Sequence, residues 1–208
     1  MRASDRRQEI LKAALSVFSR KGFGGATTKE IAAAAGVTEA IIFRHFPSKQ
    51  VLYTAVLDRR MQAPDVQEWL DRTRGFMQRN DDAGLFRALV EGVLKSYREN
   101  LEYARLLLFA ALEGHEQGLA HNRQVSEPVG GELIEYLARR QREGALRGFN
   151  PVLIVSALAG ASEFYAVQTL MFGFDTGNLS DETVVETLTR IILQGVQLSV
   201  GKESENPA

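Results

Sequence analysis

Along most of the chain, apolar residues recur every three or four positions, the spacing that lines up one face of an α-helix. From Arg7, Ile10, Leu11, Ala14, Leu15 and Phe18 make the first stripe, which Lys21-Gly22 closes as basic residue then glycine. A helix from Ser48 to about Met61 carries Val51, Leu52, Ala55 and Val56, and Pro64 breaks it. Asp65 then caps a helix through Trp69, Leu70 and Phe76, although the pattern is poorest up to Asp82. Leu85, Phe86, Leu89, Val93, Leu94 and Tyr97 form another stripe. The span from Leu101 to Glu116 is apolar on most sides and therefore expected to be central. His121 to Glu127 is polar and loop-like. Ser126 and Pro128 then start a helix through Leu133, Ile134 and Leu137 that ends near Gly144 or Gly148. Asn150-Pro151 opens a helix to about Phe172, apolar nearly all round, and Ser180 caps a last one bearing Val184, Val185, Leu188, Ile191, Ile192 and Val196. No strand pattern or repeat interrupts this series. The expected fold class is all-α.

Residues Thr27 to Lys49, TTKEIAAAAGVTEAIIFRHFPSK, differ in kind. Thr27 and Glu30 have the spacing of a capping box. Ile31, Ala32 and Ala35 mark one face of a short helix, and Gly36 can take the left-handed conformation that ends it. Thr38 can cap a second short helix, Glu39 to Phe46, which buries Ile42 or Ile41 together with Phe46. Pro47 stops it, and Ser48 caps the helix beyond. Two short helices around a glycine-containing turn have the form of a DNA-binding helix-turn-helix. Such a corner also occurs in any helical bundle, so the surroundings matter.

They support the DNA reading. Between Arg7 and Leu52, the order ILKAAL, Phe18, Gly22, TTKEIA, AGVT, HFPSK and Leu52 resembles the amino-terminal domain of TetR-family transcriptional repressors. The resemblance implies a three-helix DNA-binding domain followed by a second helical domain that varies widely among family members. It further implies phosphate contacts from His45 and Lys49, and a small molecule that enters the helical body and lowers DNA affinity. One position departs from the family: Phe43 stands where a tyrosine is usual, so a hydroxyl contact to phosphate is missing while the ring can still pack.

Charge adds to this. The net charge is −1, but residues 1–60 carry 11 Lys and Arg against 5 Asp and Glu, a balance of +6, whereas residues 61–208 carry 14 against 21, a balance of −7. A basic module beside an acidic body suits a polyanionic partner. The recognition helix would present Thr38, Glu39 and Ala40 to the major groove, with Phe43 and Arg44 one turn later. Glu39 can accept from a cytosine amino group or serve the helix dipole; Thr38 and Ala40 can meet a thymine methyl; Arg44 can pair with guanine or phosphate. Thr27, Thr28 and Lys29, at a helix amino terminus, are placed for phosphate. His45 has packing beneath Phe46 as its alternative. Met1 to Asp5 reads as a flexible arm from which Arg2, Arg6 and Arg7 reach along the duplex.

The absence of cysteine excludes disulfides and thiolate metal sites and is compatible with a cytoplasmic protein. No apolar run suggests a membrane span. There is no phosphate loop, nucleophile elbow or dinucleotide fingerprint, so neither an enzyme nor a cofactor is expected. His115, Glu116 and His121 lack the spacing of a helix-face metal pair and read as surface residues.

The last two helices are more apolar than one bundle needs. Ala157, Gly160, Ala161, Leu188, Ile191, Ile192 and Gly195 are expected in a homodimer interface, with an internal core as the alternative. A palindromic double-stranded operator follows from such a dimer. Phe86, Tyr97, Phe109, Glu113, Phe164, Tyr165, Gln168 and Met171 are candidates for contacts with a small apolar or aromatic effector, although residues of these types at helical spacing are more often plain core. The expected organisation is a helix-turn-helix domain at 1–47, a connecting helix at 48–62, an effector-binding and dimerisation body at 63–200 and a disordered tail at 201–208. Two rival functions stay open: nonspecific or architectural DNA binding, and a helical ligand-binding protein that has lost specific DNA recognition.

Overall fold

The computed structural model describes residues 3–177 and 179–197, with the side chains of residues 3, 4, 117, 121, 122 and 124–126 left aside. Ten α-helices occupy the described residues: α1 (Ala3–Gly25), α2 (Thr28–Ala34), α3 (Glu39–His45), α4 (Lys49–Met61), α5 (Pro64–Gln78), α6 (Asp82–Glu99), α7 (Leu101–Leu112), α8 (Glu116–Arg142), α9 (Pro151–Leu170) and α10 (Asp181–Val196). Among them the only extended pairing is an isolated bridge between Leu146 and Gln197. The fold class is all-α. The chain packs as two compact units, one of residues up to Leu70 with Lys95–Pro128, the other of Asp71–Leu94 with the residues from Val129 onward.

In the first unit the stripe of α1 meets α2, α4 and α7. Ile10, Leu11, Ala14 and Phe18 from α1 join Ile31, Ile42, Phe46, Leu52, Tyr53 and Leu106 in one apolar core. Phe18 meets the Tyr53 ring edge-on at 5.1 Å, and Phe23 meets it at 5.2 Å. Phe23 thus plugs this small core. Gly22, at φ 70 and ψ −177, breaks the helical backbone there.

The second unit buries Leu85, Phe86, Leu133, Leu137, Ile154 and Leu158. Beside them Asp82 takes a fork-like pair from Arg140, whose Nη2 lies 2.8 Å from Oδ2, and a hydrogen bond from the Tyr136 hydroxyl. The side chains of Arg140 and Asp82 are only 15% and 9% exposed, so the charges compensate one another away from bulk water. Asn150 accepts from the Val152 amide with Pro151 in the first turn, and Ser180 accepts from the Thr183 amide, so both expected helix starts are present.

Five local expectations are corrected. The segment from Ala3 is helical, not an arm; Arg2 and the tail from Gly201 lie outside the described residues. Asp65 is not a cap, because Pro64 already opens α5 and the Asp65 carboxylate is bonded to Arg60 at 3.0 Å. α7 ends at Leu112, where Gly114 turns the chain at φ 62, and one of its faces is open: Leu112 is 84% exposed. His121 to Glu127 is helical, since α8 runs through it; its Gln, Arg and Glu residues sustain a helix without an apolar stripe. Pro128 accordingly lies inside α8 and does not start it. A proline in mid-helix removes one amide donor, which neighbouring turns can carry.

Candidate nucleic-acid interface

The helix-turn-helix is built by local chemistry. The Thr27 hydroxyl accepts from the Glu30 amide at 3.2 Å, and the Glu30 carboxylate accepts from the Thr27 amide at 3.1 Å, completing the capping box. Lys21 pairs with Glu30 from the end of α1, and this hydrogen bond holds the Glu30 carboxyl below its ordinary value. Gly36 turns the chain at φ 63, and the Val37 amide reaches back to the Ala32 carbonyl at 2.9 Å. Of the two isoleucines in α3, Ile42 is fully buried and Ile41 half-buried. Thr38 makes no side-chain cap; its carbonyl accepts from Ile41 at 3.0 Å, and its exposed hydroxyl is left for other use.

Thr27, Lys29, Thr38, Ala40, Phe43 and Arg44 are exposed, with Phe43 at 45%. Thr28, Glu39, His45 and Lys49 are half-buried. The Thr28 hydroxyl donates to one oxygen of the Glu39 carboxylate. His45 has a buried Nε2 without a hydrogen-bond partner among the described residues, and its ring lies 6.4 Å from that of Phe46.

Lys49, which the resemblance implies meets a phosphate, bonds within the chain. Its ammonium donates to the carbonyl oxygens of Phe23 at 2.7 Å and Ala26 at 3.0 Å and sits 4.3 Å from the Phe23 ring centroid. Arg7 is likewise engaged, its guanidinium 5.0 Å from the Phe46 ring, and Arg6 pairs with Glu9 at 3.4 Å. Lys29 and Arg44 are the exposed cations left on the two short helices.

The effector candidates are divided between the two compact units. Tyr97, Phe109 and Glu113 belong to the first unit, the others to the second. Glu113 accepts from the Phe23 amide at 2.9 Å, a bond between residues ninety apart that no local pattern announces. Phe164 is 66% exposed; Tyr165, Gln168 and Met171 are half-buried, and the Tyr165 hydroxyl meets Thr176 at 3.4 Å. Phe86 lines an apolar cavity with Leu85, Leu89, Leu133, Leu137 and Leu158, but at about 10 Å³ it has room for roughly one water. His115 packs on Tyr53 at 4.7 Å and accepts from the Gly118 amide through Nδ1, so it is a core group and not a surface ligand. The His121 side chain lies outside the described residues.

This arrangement defines a helix-turn-helix regulator of the DNA-binding type. Residues 10–56 match the family model for bacterial regulatory proteins of the tetR family. The chain is 27% identical over 199 residues to the HTH-type transcriptional regulator RutR of Escherichia coli, covering 93% of this chain and 92% of RutR. It is 34% identical over 140 residues to the HTH-type transcriptional regulator TtgW of Pseudomonas putida, covering 65% of this chain and 93% of TtgW. In fold it is similar to NalD, the secondary repressor of the MexAB-OprM multidrug efflux pump in Pseudomonas aeruginosa, with a TM-score of 0.70 at 20% identity over 96% of this chain and 100% of that one. The chain belongs to the TetR family. It is a DNA-binding transcriptional regulator and not an enzyme.

Proposed function

We propose that this protein is a homodimeric repressor that binds a palindromic operator in the cytoplasm and is released by a small apolar or aromatic effector. The observation that carries the dimer is the open apolar face of α9 and α10. Leu153, Phe164 and Ile191 are 67%, 66% and 63% exposed. α9 is long and apolar enough, by length and composition, to cross a membrane, yet only 22% of its most apolar stretch is buried within the chain. In a DNA-binding regulator such a face calls for a second protein surface. A side chain added at Gly160 or Gly195 would meet nothing within 4 Å. Both glycines therefore lack an internal packing reason and suit close approach of another helix. A second copy of the chain satisfies this and places two recognition helices on a two-fold axis.

In this reading residues 1–47 contact DNA, 48–62 connect, and 63–200 dimerise and take the effector. Thr27, Lys29 and Arg44 meet phosphates or base edges, and Thr38, Glu39 and Ala40 read the groove. Repression draws support from NalD, whose fold is shared and which is a repressor. Release by an effector follows the family resemblance; the cavity beside Phe86 is where a pocket would have to open.

Selection of bound duplexes from a random pool at near-physiological salt tests the reading. The expected product is a palindrome with regular half-site spacing. A pool that stays random would favour nonspecific DNA binding.

A further inference from the structure

The end of α1 beyond the Gly22 kink, with Ala26 after it, is gripped from two sides by opposite charges. On its amide side the Glu113 carboxylate, at the carboxyl end of α7, accepts from Phe23 at 2.9 Å and from Gly24 at 3.3 Å. On its carbonyl side the Lys49 ammonium, in the first turn of α4, donates to Phe23 at 2.7 Å and to Ala26 at 3.0 Å. Bonds with one charged partner are the stronger kind, and here they hold both polar edges of one short segment. The Phe23 ring adds a third hold, 4.3 Å from His115 and 5.2 Å from Tyr53 by ring centroids.

The turn is shaped around the carboxylate. Gly22 has φ 70, and a side chain there would collide with the Glu113 carboxylate. One residue past the grip stands Thr27, whose capping box starts α2. The direction in which α2 leaves, and with it the attitude of α3, is therefore set at Phe23 to Ala26. Four residues, Phe23 to Ala26, separate the Gly22 kink from Thr27, too few to absorb a displacement of Phe23 without moving α2.

We infer that Glu113 is a positioning residue for DNA recognition. From the end of α7 it fixes, through the Phe23 and Gly24 amides, the orientation in which the helix-turn-helix meets the groove. Lys49 is its counterpart from α4. The inference rests on α2 and α3 being the DNA-contacting helices.

The test uses the full chain, the best duplex from the selection above and a scrambled duplex of equal length, with affinities measured by fluorescence anisotropy at one salt concentration. Glu113→Ala should lower affinity for the selected duplex about tenfold or more while leaving the scrambled duplex within about twofold, so that the specificity ratio falls. Glu113→Gln, whose amide oxygen can still accept, should recover part of the ratio. A merely structural role would reduce the folded fraction, lower both affinities in proportion and leave the ratio unchanged; that result, in both variants, overturns the inference. If the wild-type chain prefers no duplex, specific operator binding fails and the inference falls with it. A wild-type preference that both variants retain sinks the inference alone.

Discussion

The hydroxyl of Thr28 donates a hydrogen bond to the carboxylate of Glu39, tying the first residue of α2 to the first residue of the recognition helix. One carboxylate oxygen is thereby oriented; in the proposed reading the acceptor would enter the groove with its direction already set. Glu39→Gln should shift the preferred base at one position of each half-site from cytosine towards adenine, because a carboxamide can bond adenine on two atoms. Competition between duplexes differing at that base pair should register about 1–3 kcal/mol of altered discrimination. An unaltered preference would remove Glu39 from base reading.

Arg44 and Lys49 should separate in a salt titration. Arg44→Ala is expected to lower the slope of log K against log salt by about one, as loss of a phosphate contact does. Lys49→Met should leave the slope unchanged, since its ammonium is engaged with Phe23 and Ala26. Instead it should cost about 1.5–3 kcal/mol of stability in urea for the lost charged hydrogen bonds. A shallower slope in Lys49→Met would show that the lysine swings out to phosphate.

The Asp82–Arg140–Tyr136 cluster should behave as a coupled unit. Asp82→Asn removes one of the two carboxylates on Arg140, leaving Glu143 at 2.7 Å, and should destabilise by about 1.5–3 kcal/mol for the lost charged hydrogen bonds, read from the denaturant midpoint. Adding Arg140→Met should cost less than it does in the wild-type chain, since the two side chains share their bonds. Additive losses in the double variant would mean that the pair is not coupled.

Alkali should unfold the first unit through its buried phenols. Burial is the main cause that pushes Tyr53 and Tyr103 up to about 12, with the Glu113 charge adding to the effect on Tyr53. Below pH 10 both residues are neutral in the folded and the unfolded chain, so their full contribution is present there. Between about 10 and 12 only the unfolded chain ionises them, and stability is lost as pH rises through that window, on the order of 2–3 kcal/mol for each tyrosine at its upper end. Tyrosinate absorbance should rise in step with loss of helical circular dichroism. Ionisation of both at pH 10 in an intact fold would contradict this.

Ile191→Asp, on the open face, should turn the proposed dimer into a monomer with its helical content kept. Light scattering coupled to gel filtration would read the mass; a dimer that survives both this change and Phe164→Asp would take that face out of the interface.

What could be read from the sequence was what adjacent residues decide. Thr27 with Glu30, Gly36, Ser48, Asn150-Pro151 and Ser180 each fix a helix end through partners within a few positions, and the structure has all of them. α8 was hidden because its polar stretch has no stripe and because Pro128 looks like a beginning when only its neighbours are seen. The bonding partners of Lys49 and Glu113 were hidden for another reason. These lie 26 and 90 residues away, and a charged residue at a helix end carries no mark of whether it faces a phosphate, a ligand or a backbone amide. Phe43 was visible as a departure from the family, and its exposed ring agrees with a surface position.

The face that α9 leaves open also bears on how the protein is made. In the proposed dimer, a chain newly released from the ribosome would carry Leu153, Phe164 and Phe172 in water until it met its twin. Unmated chains of this kind are exposed to aggregation and to proteolysis, and the fraction that escapes depends on how many copies are present. Gene dosage would then set the quality of the regulator as well as its amount. Halving synthesis would remove more than half of the competent molecules, which gives a regulator of its own kind a sharper threshold than its operator affinity alone provides.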